Sequence, residues 1–146
     1  MTLRQNVQFC SAFPNDADYD LDVQPGRNIA EALKAALSRR GYRVSEPING
    51  GDHGWELDVW RGRKRLWLQI SVLAADECYL MTENMTFWLW PDMDLFRSFL
   101  RDLQSVLAED SKFCVTGWFS NGASVSATEL ADAPFTPEAA PGSRRG

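Results

Sequence analysis

WELDVWRGRKRLWLQI, residues 55–70, holds two runs of alternating apolar and polar residues separated by Gly62-Arg63. Glycine at the first central position of a two-residue turn accepts φ > 0 without a Cβ clash, so the pair predicts a tight II′ β-hairpin. That turn fixes the register. It sets Val59 opposite Leu66, Leu57 opposite Leu68 and Trp55 opposite Ile70 on one face, which reads as core. On the other face Trp60 meets Arg65, Asp58 meets Trp67 and Glu56 meets Gln69. Trp60 and Trp67 are diagonal neighbours there, with Arg65 placed to lie over an indole.

Downstream of the hairpin, the second strand is expected to run to Val72 or Leu73, turn through Ala74-Ala75-Asp76 and resume from Glu77 to Asn84. MTFWLW, residues 85–90, reads as a third extended piece, with Phe87 and Leu89 on one side and Trp88 and Trp90 on the other. If Phe87 and Leu89 face the core and the strands are neighbours, Trp88 and Trp90 join Trp60 and Trp67 on one aromatic face. The competing reading has another element covering these indoles. Pro91 and the aspartates at 92 and 94 then open a helix over 93–109, whose apolar stripe is Phe96, Phe99, Leu100, Leu103, Val106 and Leu107. Phe113 to Phe119 reads as a final strand. From Asn121 the chain turns rich in Ala, Pro, Ser and Gly, with little apolar area to offset ordering entropy, so 121–146 is expected to be largely flexible. Val125, Leu130 and Phe135 are its residues able to dock.

Upstream, residues 28–40 predict a helix with Asn28 as N-cap, Glu31 reaching back, Ile29, Leu33 and Leu37 as its buried stripe, and Gly41 as its left-handed cap. Tyr42 to Ser45 is extended, and PINGGDHG, residues 47–54, reads as a flexible glycine-rich connection. It lacks both G-x-G-x-x-G and a Lys-Ser/Thr ending, and a strand follows it, which argues against a phosphate cradle. Residues 1–26 form an extended acidic segment. Within it Asp16, Asp18, Asp20 and Asp22 alternate with Ala17, Tyr19, Leu21 and Val23, giving one apolar and one acidic face. A calcium loop counted from Asp16 fails, because Leu21 stands where glycine is needed and Arg27 where a bidentate Glu is needed. Val7 to Phe13 opens with a short strand ended by Pro14.

The element order, with short turns between successive strands, predicts an α+β class: an antiparallel β-meander of about four to six strands with two packing helices, in one domain over 1–120. A chain of 146 residues with 45% hydrophobic residues is long enough to bury a core. Its formal charge of −5 argues against a generic nucleic-acid partner. No run approaches the roughly 18 apolar residues that span a bilayer, and no h-region follows a basic start, so no membrane partner is expected and the cytoplasm is the expected location. Cys10, Cys78 and Cys114 are far apart, without a histidine cluster, and are expected as reduced, mostly buried thiols. No metal or cofactor is implied.

Catalysis needs a base and a nucleophile or metal held together. His53 is the single histidine and sits in the glycine-rich loop beside Asp52. A dyad of His53 with Cys78 or Cys114 depends on tertiary placement and the exposed carboxylates read as solvated, so the chain is not expected to be an enzyme. Binding is better supported. Trp60, Arg65, Trp67 and Trp88 have the aromatic and arginine character of interface anchors, with Arg61, Arg63 and Lys64 at the hairpin tip. The aspartates at 16, 18, 20 and 22 suit steering of a basic protein partner; equally, such charges keep an edge strand from pairing with other chains.

The succession of a helix, Gly41-Tyr42, Pro47, Gly54-Trp55-Glu56-Leu57-Asp58-Val59 and a second tryptophan-bearing strand resembles, over residues 28–118, small acidic bacterial immunity proteins of polymorphic or contact-delivered toxin systems. The likeness is one of layout and charge, with no shared motif from which to transfer site residues. It implies a protein that binds a cognate toxin and occludes it without catalysis of its own. Alternative expectations are a secretion chaperone for an effector, also small, acidic and α+β, and a small-ligand domain that stacks a planar or sugar ring on its tryptophans.

Overall fold

The computed structural model describes residues 2–13, 25–121 and 130–136. The hairpin forms as its turn dictates. β5 (Trp55–Arg61) and β6 (Lys64–Ala74) pair antiparallel with Trp55 opposite Ile70, Leu57 opposite Leu68, Val59 opposite Leu66, Asp58 opposite Trp67 and Trp60 opposite Arg65. Gly62 has φ 62° and no non-glycine residue among those described has positive φ, the pattern of a II′ turn. At the far end of the hairpin Gly54 is needed for a different reason. Its φ is 97°, and a Cβ there would lie 2.0 Å from the carbonyl oxygen of Ile70.

β7 (Glu77–Asn84) continues the meander antiparallel to β6. The next neighbour comes from the chain's start. β2 (Asn6–Ser11) lies between β7 and β8 (Phe113–Phe119), antiparallel to both, whereas β1 (Thr2–Leu3) pairs with β9 (Phe135–Thr136) in a separate two-stranded sheet. At the opposite edge β5 is flanked by β3 (Arg43–Val44) and β4 (Ile48–Asn49), giving seven strands in the order β3-β5-β6-β7-β2-β8 with β4 also on β5. The stretch 47–54 is thus more structured than a flexible connection. It holds β4 and a 3₁₀ turn over Gly51–His53, and the His53 carbonyl accepts from Gln69 Nε2 and Ser71 Oγ.

Both helices bury the stripes their periodicity predicts. α1 (Arg27–Arg39) buries Ile29, Ala30, Leu33 and Leu37, and α2 (Met93–Glu109) buries Phe96, Phe99, Leu100, Leu103, Val106 and Leu107. They pack against Val7, Phe9, Leu57, Val59, Leu66, Leu68, Ile70 and Leu80 in one continuous core. The N-terminus of α1 differs from expectation. The helix begins one residue earlier, Gly26 occupies the cap position without a side-chain bond, and Glu31 pairs with Arg27 one turn back at 3.9 Å instead of reaching to Asn28. Its C-terminus closes as a Schellman motif, with Gly41 N donating to Ser38 O and Tyr42 N to Leu37 O.

Tyr42 then ties three elements together. Its hydroxyl donates to Asp102 of α2 at 2.6 Å, its ring meets Phe99 edge-on at 5.6 Å, and Arg61 from the hairpin lies 3.9 Å over it. Burial, then the hydrogen bond to the Asp102 carboxylate, push the Tyr42 hydroxyl well above the usual tyrosine range. At the C-terminal end Leu130 lies over Gly117, Ala131 bridges Trp118, and Phe135 is buried beneath Arg101. Two of the tail residues able to dock therefore do pack. Of the cysteines, all free thiols, only Cys78 is buried, while Cys10 is half-buried and Cys114 exposed, fewer than expected.

Candidate functional site

Because α1 and α2 share one side of the sheet, no described helix covers the other. That outer face presents Glu56, Asp58 and Trp60 of β5, Arg65, Trp67 and Gln69 of β6, and Tyr79 and Met81 of β7, all half-buried. Its aromatic residues are held by specific partners. Trp67 Nε1 donates to Glu56 Oε1 at 2.9 Å, and Arg43 of the edge strand β3 stacks over Trp60 with its guanidinium 4.5 Å from the ring centroid. Arg65 does not lie over an indole. It donates to Asp58 Oδ1 at 3.0 Å, because the carboxylate two pairs further along the ladder, on the same face, is within reach and offers a charge-assisted bond. Trp60 and Trp67 are separately anchored and make no ring contact with one another.

Trp88 lies elsewhere. Residues 85–90 form no strand, so Trp88 does not join Trp60 and Trp67, and Phe87 and Leu89 do not reach the core. The reason lies in the polar residues around the aromatic run. Asn84 Oδ1 accepts from the backbone N and hydroxyl of Thr86, the Thr86 hydroxyl accepts from Asp92 N at 2.7 Å, and Asn84 Nδ2 donates to Asp92 O at 3.2 Å. These bonds clasp the two ends of the segment together and leave its middle outside. Relative exposures are 50% for Phe87, 83% for Trp88, 49% for Leu89 and 77% for Trp90. Asp92 also caps α2, accepting from Leu95 N at 2.9 Å, and bonds Lys64 at the hairpin tip. The Lys64 bond first, then the Leu95 bond, hold its carboxyl below the usual carboxylate range. Sequence reading missed this loop because MTFWLW is a short apolar run of the kind a buried strand shows. The Asn84, Thr86 and Asp92 spacing around it was the available signal.

Asp16, Asp18, Asp20 and Asp22 lie outside the described residues. His53 and Asp52 sit exposed in the 3₁₀ turn. Among the described residues no group of three or more His, Cys, Asp or Glu is placed to hold a metal ion. No helix among the described residues is long and apolar enough to cross a membrane. Hollows of about 50, 300 and 240 Å³ lie on the described surface, and none of these is lined by Trp60, Trp67 or Trp88. No protein-family model matches this chain, no curated protein matches its sequence, and no solved structure matches its fold.

Proposed function

We propose that this chain is a non-catalytic protein-binding module of the cytoplasm, an immunity-type inhibitor that neutralises a cognate toxin by seating it on the outer sheet face. The observation that carries this reading is the pinned aromatic face itself. Trp60 under Arg43 and Trp67 on Glu56 have little rotamer freedom left to lose, so a partner that covers them gains apolar burial at low entropic cost. Polar groups beside them, Gln69 and the Asp58–Arg65 pair, supply the rim. The net charge of −5 and the aspartates at 16, 18, 20 and 22 favour a basic partner and speed its arrival.

The test is affinity capture of the tagged chain from its producing cells, washed in parallel at low and high salt, followed by expression of the captured protein in cells lacking this chain. One dominant basic protein, reduced at high salt and lethal alone but harmless when this chain is co-expressed, is the expected result. A captured protein that is harmless in either setting overturns the reading. With the partner in hand, charge reversal at Asp18 and Asp20 slows association in a salt-dependent way, whereas Trp60→Ala or Trp67→Ala raises the dissociation rate, each costing about 2 kcal/mol of binding.

A further inference from the structure

The clasped loop Met85–Trp90 is left out of that reading and carries one of its own. Four consecutive large apolar residues stand exposed on it, and Met85 and Met93 beside them are also exposed, at 42% and 38%. Loop residues inside a fold bury such side chains. Here hydrogen bonds at Asn84, Thr86 and Asp92 hold the loop in the conformation that displays them. The hairpin tip lies alongside, because Leu66 pairs with Asn84 and Lys64 bonds Asp92. Arg61, Arg63 and Lys64 are exposed there, and Arg63 makes no hydrogen bond or ion pair among the described residues. The carboxylates at the start of α2 are already matched, Asp92 by Lys64 and Asp94 by Arg97, and at the near end of β7 Glu83 is exposed.

We propose that the Met85–Trp90 loop and the Arg61, Arg63 and Lys64 tip form an interfacial anchor that inserts its indoles into the headgroup layer of an anionic lipid surface. Phe87, Trp88, Leu89 and Trp90 are each about half exposed or more, so a flat protein surface that meets one side of the loop leaves part of this apolar area wet, whereas a fluid apolar medium surrounds all four. Tryptophan favours that boundary, where its ring is buried and its N–H stays wet. A second copy of this chain is disfavoured because a twofold contact through the loop brings two identical basic tips together. Anionic headgroups complement Arg61 and Arg63, the tip cations with no carboxylate partner among the described residues, each basic residue near the surface adding to the attraction. No membrane span is needed for such binding, so the lack of one in the sequence does not oppose it.

The experiment uses the full chain with sonicated vesicles of phosphatidylcholine alone and of phosphatidylcholine and phosphatidylglycerol in equal parts. Co-sedimentation and a blue shift of tryptophan emission are expected with the mixed vesicles, and weaker binding with the neutral ones. Trp88→Ala/Trp90→Ala lowers affinity about 100-fold with an unchanged circular dichroism spectrum, since both side chains are exposed. Arg63→Glu lowers it about tenfold, and the effect shrinks with added salt. No binding to mixed vesicles, or binding that survives loss of both indoles, overturns the proposal. So does a dimer in sedimentation velocity, without vesicles, that the double variant dissolves, since the loop then serves a second copy.

Discussion

Two tryptophan-rich stretches that both read as extended, Trp55–Ile70 and Met85–Trp90, end in opposite situations. In the first, Gly62-Arg63 turns the chain back on itself, so each strand supplies the other's hydrogen bonds and one face is buried completely. In the second, no turn returns the chain and Pro91 closes the segment, while Asn84, Thr86 and Asp92 satisfy one another across its base. A tryptophan-rich apolar stretch is a strand where a partner strand exists and a display loop where polar residues clasp its ends. Alternation states which residues share a side. It does not provide the neighbour that makes a strand.

The contrast is broken most severely in the hairpin core. Leu68→Ala, in a fully buried side chain of β6, is expected to cost about 3 kcal/mol in denaturant unfolding, whereas Trp88→Ala/Trp90→Ala stays within about 0.5 kcal/mol of the parent. Equal losses would mean that the loop is packed after all. Two glycines sharpen the point within the hairpin. Gly54→Ala places a Cβ 2.0 Å from the Ile70 oxygen and should cost about 3 kcal/mol or more, while Gly62→Ala, open on all sides, should cost about 1 kcal/mol for its positive φ alone.

A smaller effect concerns the clasp. Thr86→Val removes the acceptor of Asp92 N and the bond to Asn84, for about 1 kcal/mol of stability, and chymotryptic cleavage within Phe87–Trp90 should quicken while the hairpin tryptophans stay protected. The least effect is electrostatic. Because the folded Asp92 carboxyl titrates below its ordinary value, its contribution is present above the usual carboxylate range, near pH 4, and fades as pH falls through the lowered folded value. Asp92→Asn should flatten that part of the acid dependence of the melting temperature, and an unaltered curve would remove Lys64 and Leu95 as its cause.

What was legible in the sequence follows from how local each determinant is. The hairpin register, both helix stripes and the bounds of α2 rest on contacts within about twenty residues, and all of them could be read. The position of β2 could not, because its neighbours β7 and β8 are remote in the chain and nothing in NVQFCS specifies an interior place. The site divides the same way. Trp60, Arg65 and Trp67 share the predicted face, but Arg65 found Asp58 and Trp60 found Arg43. The second partner belongs to β3, and no spacing within the hairpin announces it. Trp88 was misplaced because its segment's apolar run was visible and its lack of a strand partner was not.

The interior place of β2 also governs how the chain reaches its native state. Residues 6–11 pair with 78–80 on one side and 113–119 on the other, so an early segment waits for two late ones before the sheet closes. Such long-range pairing slows folding through the entropy of closing large loops. Until β2 docks, the outer edge of β7 stands open, with Tyr79 and Leu80 ready to pair with the wrong strand. A nascent chain of this protein is therefore most vulnerable to aggregation between the completion of the β5-β6-β7 meander and the arrival of β8. Circularly permuted variants that start at β5 and carry β2 after β8, so that the two strands are made in succession, should refold faster than the parent.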